Sequence, residues 1–336
     1  EELALDGWAV EARLYAEDRS SDLLPSTGTV VDYLEPEVEG VSVDSGVELG
    51  SEVGIHYDPM LAKVIAHGID REEALRRCRR GLRELSVLGL VTNRGFLLEI
   101  LGHRAFEEAA LHTGFLDEHG FFGPADLAAD ALLAADATVV AGIADRAARR
   151  PTPRVPVRFR LDQRSAPGRE SAELTVGGTK RELEYAVGHD GQITIFDGAA
   201  ETPRNERSYR ILDRSDADLI VERDGLRHAL RVVEGSGAVW VHSAHQDIRV
   251  VPHERFPIPG ADGPSGAATA PMPGKVISVS VEVGTEVRAG QPLLILEAMK
   301  MEHRIEASEA GIVKELRVAE GDQVDADAIL VVVEPS

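Results

Sequence analysis

Gly274-KVISVSVEVGTEVRAGQPLLIL-Glu297 lies over Gly311-IVKELRVAEGDQVDADAILVVV-Glu334 without a gap. Glycines coincide at Gly274/Gly311 and Gly284/Gly321. Apolar residues coincide at Val276/Val313, Val279/Leu316, Val281/Val318, Val287/Val324, Ala289/Ala326 and Leu293/Leu330. Each copy reads as short strands separated by turns, and neither is long enough to bury a core alone. Together they predict a flattened β-barrel of two pseudo-equivalent halves.

The copies differ at their ends. The first runs on from Glu297 through Ala298, Met299, Lys300 and Met301 into a further strand, His303 to Ala307, while the second stops at Pro335-Ser336. The symmetry therefore puts Lys300 in the hairpin that joins the halves. The plain alternative is a solvated turn lysine. Against it, methionines on both sides gain nothing at an exposed hairpin, and lysine is scarce: Lys63, Lys180, Lys275, Lys300 and Lys314 are the only ones.

Working outward, residues 257–269 are rich in Pro, Gly, Ala and Ser without hydrophobic period, which predicts a flexible linker spanning roughly 20 Å as a coil. Residues 155 to 255 return to strand periodicity at Glu173 to Val176, Gln192 to Phe196, Asp218 to Arg223, Ala229 to Val233, Ala238 to His242 and Asp247 to Val251. Gly177-Gly178, Asp190-Gly191 and Asp224-Gly225 supply turns, so a small antiparallel barrel is expected. Ala125 to Arg150 is alanine-rich and free of proline, a long helix stopped by Pro151, Pro153 and Pro156. Before it, strands at Ala9 to Tyr15, Thr29 to Leu34 and Leu61 to Ala66 precede helices over Arg71 to Leu88 and from Thr92. The expected fold is multidomain α+β. Its parts are an α+β domain (1–118), a long helix with a β domain (119–256), the linker (257–269) and the repeat domain (270–336).

Composition narrows the function classes. A hydrophobic content of 43% with 28% charged residues is that of a globular chain. No apolar run approaches the roughly 20 residues that span a bilayer, and no secretory leader is recognisable. The net charge of -22 repels phosphate backbones and anionic lipid, so neither nucleic acid nor membrane is an expected partner. The single cysteine, Cys78, excludes an internal disulfide framework and suits a reducing, cytoplasmic compartment. Four arginines surround it, yet an inert helix residue is the expectation. His242, His245 and His253 are not spaced as zinc ligands and read as surface residues; no metal site is expected. The start at Glu1 reads as that of a C-terminal fragment.

The run Glu297-Ala298-Met299-Lys300-Met301 resembles the biotinylation motif of biotin carboxyl-carrier domains, and Ala270-Pro271-Met272-Pro273-Gly274 resembles the stretch that opens them. Residues 1 to about 118 resemble the C-terminal subdomain of biotin carboxylases. The matching runs are Glu11 to Asp18, Leu24 to Gly28, Val43 to Gly46, Tyr57 to Lys63 and Thr92-Asn93. More loosely, the middle region resembles the connecting domain of acyl-CoA carboxylase α subunits, with Val239 to His242 and then Arg255-Phe256-Pro257.

The resemblance implies biotin joined covalently to Lys300 by a biotin protein ligase. It also implies a carboxyltransferase β subunit as partner in a hetero-oligomer. ATP, Mg²⁺ and bicarbonate would belong to an ATP-grasp domain upstream, whose phosphate loop has no counterpart here. The expected function is that of the C-terminal part of an acetyl-, propionyl- or methylcrotonyl-type acyl-CoA carboxylase α subunit, inactive by itself. One residue departs from the pattern. Ser42 stands where the family carries an arginine that stabilises the biotin enolate, and a hydroxyl offers no fixed positive charge. Glu11, Arg13 and Asp58 read as structural ion-pair residues. The alternative is a non-catalytic biotinyl carrier and docking module with a degenerate carboxylase remnant. Lipoyl carriers share the duplicated barrel but lack the flanking methionines, and pyruvate carboxylase would need an α/β barrel that is not here.

Overall fold

A computed structural model describes residues 6–19, 23–54, 57–121, 128–148, 169–197, 205–253, 267–271, 273–298, 301–325 and 328–335. They form two compact units, one holding most of the first domain together with the barrel, the other holding the C-terminal strands.

The first domain runs β1 (Trp8–Tyr15), β2 (Glu17–Asp18), β3 (Leu24–Pro25), β4 (Gly28–Thr29), β5 (Asp32–Leu34), β6 (Val41–Ser45), β7 (Glu52–Val53) and β8 (Met60–Gly68). It continues with α1 (Arg71–Glu84), β9 (Ser86–Leu88), α2 (Arg94–Leu101), α3 (Arg104–Glu107) and α4 (Phe115–Glu118). β8 pairs antiparallel with β1 on one side and β6 on the other. One face of this sheet buries Ala12, Leu14, Val64 and Ala66, and α1 covers it with Ala74, Leu75, Cys78 and Leu82. Asp70 starts α1 by accepting from the Glu73 N–H at 2.8 Å. Burial pushes the Cys78 thiol up to about 12, so it stays protonated and inert despite its arginine neighbours.

Three expectations need correction here. The helix ends at Glu84, not Leu88: Leu85 is extended and Ser86–Leu88 forms β9, paired with β5 through Tyr33↔Val87. All three residues of β9 are buried, as in a strand covered on both faces, and such a run mimics a helix stripe in sequence. The stretch Thr29 to Leu34 is split between β4 and β5. α2 follows Asn93 rather than Thr92 as N-cap; the Asn93 side chain accepts from Tyr15 N–H at 2.9 Å and so ties α2 to β1.

α5 (Ala128–Ala148) precedes eight strands: β10 (Glu170–Val176), β11 (Thr179–Val187), β12 (Ile193–Asp197), β13 (Asn205–Ser215), β14 (Asp218–Arg223), β15 (Leu226–Gly235), β16 (Ala238–His242) and β17 (Asp247–Pro252). Each pairs antiparallel with the next, and β17 returns to β10, closing the barrel. Two-residue turns with positive φ at Gly177-Gly178, Asp224-Gly225 and Ser236-Gly237 set three of the hairpins. β11 and β13 were not legible in sequence, because their outward residues are charged or polar and only a few inward ones, such as Leu183, Tyr185 and Tyr209, are apolar. α5 is buried on every side, through Ala134, Ala135, Ala137, Val140, Ala141 and Ile143, in one core with the inward residues of the strands. A helix apolar all round belongs inside. Its one charged residue there, Asp136, is fully buried and accepts from Arg207 Nη2 at 2.9 Å and Tyr209 Oη at 2.6 Å, both on β13.

The C-terminal unit contains β18 (Ala267–Thr269), β19 (Gly274–Val279), β20 (Glu286–Val287), β21 (Pro292–Ala298), β22 (Met301–Glu306), β23 (Gly311–Leu316), β24 (Gln323–Val324) and β25 (Ile329–Pro335). They make two four-stranded sheets, β18-β25-β23-β20 and β22-β21-β19-β24. The repeat holds at the level of register. Lys275 pairs with Glu297 as Ile312 pairs with Glu334, and a bulge interrupts both ladders at matched positions, after Val276 and after Val313. The symmetry reaches further than the sequence showed. Ala268 pairs with Val331 as Ile305 pairs with Leu294, which makes β18 the counterpart of β22. Residues 267–269 therefore belong to the carrier and not to the linker, because they complete the edge of a sheet. Each sheet takes two strands from each half, so neither half has a core without the other.

Candidate functional site

The carrier hairpin is framed by β21 and β22. Their ladder closes at Ala298↔Met301, preceded by Glu297↔Glu302 and Leu296↔His303. Of the motif residues, Glu297 and Ala298 therefore end β21 and Met301 opens β22; Met299 and Lys300 lie outside the described residues. Lys275 is the neighbour of Glu297 on β19. The row next to that closing pair is thus Lys275, Glu297, Glu302, with two carboxylates directly opposed on adjacent strands, an arrangement that costs folding energy. Further along β22, burial pushes His303 below the usual imidazole range, and its Nε2 has no partner. Beneath the row lies an aliphatic core of Val276, Leu294, Leu296, Val313 and Val333 that fixes both strands.

The face of the first sheet opposite α1 carries the polar residues. Arg13, Lys63 and Asp44 form one cross-strand row, and Glu11, Ile65 and Ser42 the adjacent one. Arg13 Nε donates to Glu11 Oε1 at 2.8 Å, which holds the Glu11 carboxyl below its usual range even at an exposed site. This bears out Glu11 and Arg13 as an ion pair. Ser42 is exposed on this face, and Lys63 is the cation on the strand next to it.

A third cluster was invisible in sequence. Arg94, at the start of α2, is 1% exposed and makes a two-pronged pair with Asp247 of β17, Nε to Oδ2 and Nη2 to Oδ1, each 2.8 Å. Two further protons go to carbonyls, Nη1 to Leu82 at 3.1 Å and Nη2 to Ser243 at 2.8 Å. His242 is buried, contrary to its reading as a surface residue. Its Nδ1 faces Asp247 Oδ1 at 2.7 Å and its Nε2 the Arg83 carbonyl at 3.0 Å. His245 and His253 are exposed, as expected.

Burial opposes the charge on Asp247, but Arg94 and His242 outweigh it and hold the carboxyl below its ordinary 3.8. The folded value therefore lies below the unfolded one. The pair's contribution is complete above about pH 4 and is lost as pH falls through the lower value. Urea midpoints measured from pH 7 downward should stay level on this account to about pH 4 and fall below it; Asp247→Asn should remove that part of the acid slope.

No group of three His, Cys, Asp or Glu among the described residues is placed to hold a metal. No helix among them is long and apolar enough to cross a membrane.

Comparison with known proteins assigns these parts. The model described as the biotin carboxylase C-terminal domain matches residues 11–118, and that described as biotin-requiring enzyme matches 267–333. Two stretches of the chain thus match domains of biotin-dependent enzymes, one of them a biotin carboxylase domain. It is 30% identical, over 98% of its length, to methylcrotonoyl-CoA carboxylase subunit alpha, mitochondrial, of Rattus norvegicus, covering 48% of that protein. It is 31% identical, again over 98% of its length, to propionyl-CoA carboxylase alpha chain of Ruegeria pomeroyi, covering 52% of it. Its homologues are biotin-dependent acyl-CoA carboxylase α subunits with a biotin-carrier domain, and it covers their C-terminal part. The chain spans about half the length of the curated relatives it matches. Among solved structures, the biotin carboxylase domain of thermophilic 2-oxoglutarate carboxylase bound to bicarbonate is 30% identical over 37% of this chain and 28% of its own, with a TM-score of 0.35.

Proposed function

We propose that this chain carries a carboxyl group on biotin joined to Lys300, from an ATP- and bicarbonate-dependent biotin carboxylase site to a carboxyltransferase β subunit that transfers it to an acyl-CoA of the acetyl, propionyl or methylcrotonyl type. The observation that carries the reading is the register of the carrier. Two intertwined halves hold β21 and β22 paired up to Ala298↔Met301, and the sequence between them is Met299-Lys300. That pairing brings Ala298 and Met301, the residues on either side of Met299-Lys300, opposite each other on adjacent strands. Biotin supplies a ring nitrogen that is carboxylated and decarboxylated. Lys300 supplies attachment and reach, and takes no part as acid, base or nucleophile. Tethering keeps such a carrier at around millimolar effective concentration near both stops without tight docking.

On this reading the chain is a ligase component working in a hetero-oligomer, in the cytoplasm, and is inactive without an ATP-grasp domain, for which it has no phosphate loop. The limits proposed for its parts are those expected from sequence, with the carrier beginning at 267. Intact-mass spectrometry of protein made in cells with biotin ligase tests it: one biotin per chain is expected, and an unmodified, folded chain rejects it.

Ser42 favours a second reading, a carrier and docking module whose carboxylase part is a remnant. The two separate by Ser42→Arg in an α subunit with an intact nucleotide site. Restoring a fixed charge beside Lys63 should raise bicarbonate-dependent ATP hydrolysis by about one to two orders of magnitude if the site is impaired only there. No rise, with the starting activity already nil, selects the remnant.

A further inference from the structure

We propose that Arg94, Asp247 and His242 lock the eight-stranded barrel onto the first domain, so that the two move as one rigid body and Arg94 is a positioning residue. Three observations converge on this. First, Arg94 reads both sides of the junction at once: within its own domain it holds the Leu82 carbonyl at the end of α1, and across the junction the Ser243 carbonyl and both oxygens of Asp247. A planar fork that satisfies four acceptors tolerates little rotation, since any hinge movement breaks several charge-assisted bonds together. Second, the cluster is dry. Side-chain exposures are 1% for Arg94, 5% for Asp247 and 8% for His242, so opening would leave a charge stranded before water could reach it. His242 adds its own crossing contact to the Arg83 carbonyl at 3.0 Å.

Third, a second, separate anchor lies further along the junction. Arg231 of β15 pairs with both oxygens of Asp32 on β5, at 2.7 and 3.0 Å, and Asp32 also accepts from Ser86 Oγ at 2.8 Å. One anchor would permit a swivel; two leave only rotation about the axis between them, which packing of the facing surfaces opposes. Between them the surfaces are in close contact at small residues. A Cβ on Gly95 would fall 2.0 Å from Gln246 Oε1, and one on Gly235 would fall 2.6 Å from Val31 Cγ1. Among the groups facing the cluster, Arg94 and Asp247 carry the opposed charges and the rest are carbonyl oxygens and His242.

The consequence for the reaction rests on the carrier reading: the first domain and the barrel would form a fixed frame, leaving all travel to the chain beyond it. The rigidity itself does not rest on that reading and is tested without biotin. Spin labels at Leu111→Cys and Leu226→Cys report on the two domains from exposed positions, while buried Cys78 stays unlabelled. Double electron–electron resonance should give one narrow distance distribution for the otherwise native chain. Arg94→Met should broaden it at least twofold while amide protection of α5 inside the barrel stays native. Arg94→Lys, which keeps the charge and loses the fork, should lie between. A broad or bimodal distribution in the native chain overturns the rigid body; an unchanged narrow one in Arg94→Met overturns the lock. Should Arg94→Met fail to fold, Arg94→Lys decides alone, and an unbroadened distribution there overturns the proposal. Absence of biotin from Lys300 would end the carrier reading and leave these distances untouched.

Discussion

Lys300→Arg is expected to abolish biotin attachment entirely, with no avidin signal and no biotin adduct in the intact mass, while the unfolding midpoint of the carrier stays within about 0.5 kcal/mol of the parent. The size of the effect follows from nucleophilicity. A ligase acylates a neutral amine, which lysine provides by losing a proton, whereas a guanidinium stays protonated above pH 12 and has no free lone pair to offer. No neighbouring lysine should substitute. Lys275 sits opposite Glu297 on β19, outside the motif, and Lys314 pairs with Glu334 at 3.1 Å. Carboxyl transfer by the assembled enzyme should fall to background. An avidin signal persisting in Lys300→Arg would assign the cofactor to another lysine and defeat the proposed function.

Asp136→Ala should be the most destabilising single change in the barrel, costing about 3–5 kcal/mol, because it leaves the Arg207 guanidinium in a dry core with only the longer 3.7 Å contact to Asp197. Arg207 is 10% exposed, Asp136 is not exposed at all, and Tyr209 donates to the same carboxylate. Burial, with Asp136 beside it, pushes the Tyr209 phenol well above its usual range, so the ring stays a donor at every practical pH. Tyr209→Phe removes one donor to that carboxylate and should cost about 2 kcal/mol. Replacing both partners, Asp136→Leu with Arg207→Met, should recover most of the loss, since a buried pair contributes far less than the penalty for breaking it. Chemical denaturation of the four proteins checks this. A cost for Asp136→Ala below about 1 kcal/mol would mean that water reaches the helix, and that the barrel is not closed around it.

How far the sequence could be read depended on the range of the interactions. The long helix, six of the eight barrel strands and the repeat were legible because each is encoded in local period or self-similarity. Asp136 left a trace, a lone carboxylate within Ala-Ala-Asp-Ala-Thr-Val-Val, but nothing nearby named its partners. Arg94 and Asp247 are 153 positions apart, and His242 looked like any strand histidine. Burial of β9 on both faces erased the alternation that would have separated it from α1.

What the sequence by itself determined is the duplicated carrier and the place of Lys300 between its halves. Matched glycines and apolar positions allow only one register, and a slip of one residue would turn every core side chain outward. Only the tertiary structure decided that β18 completes the carrier, that α5 threads the barrel, and that a buried arginine joins the barrel to the domain before it. These contacts form between segments far apart in the chain, where composition and period carry no information about which surfaces meet. The partners of a charge removed from water are chosen by packing.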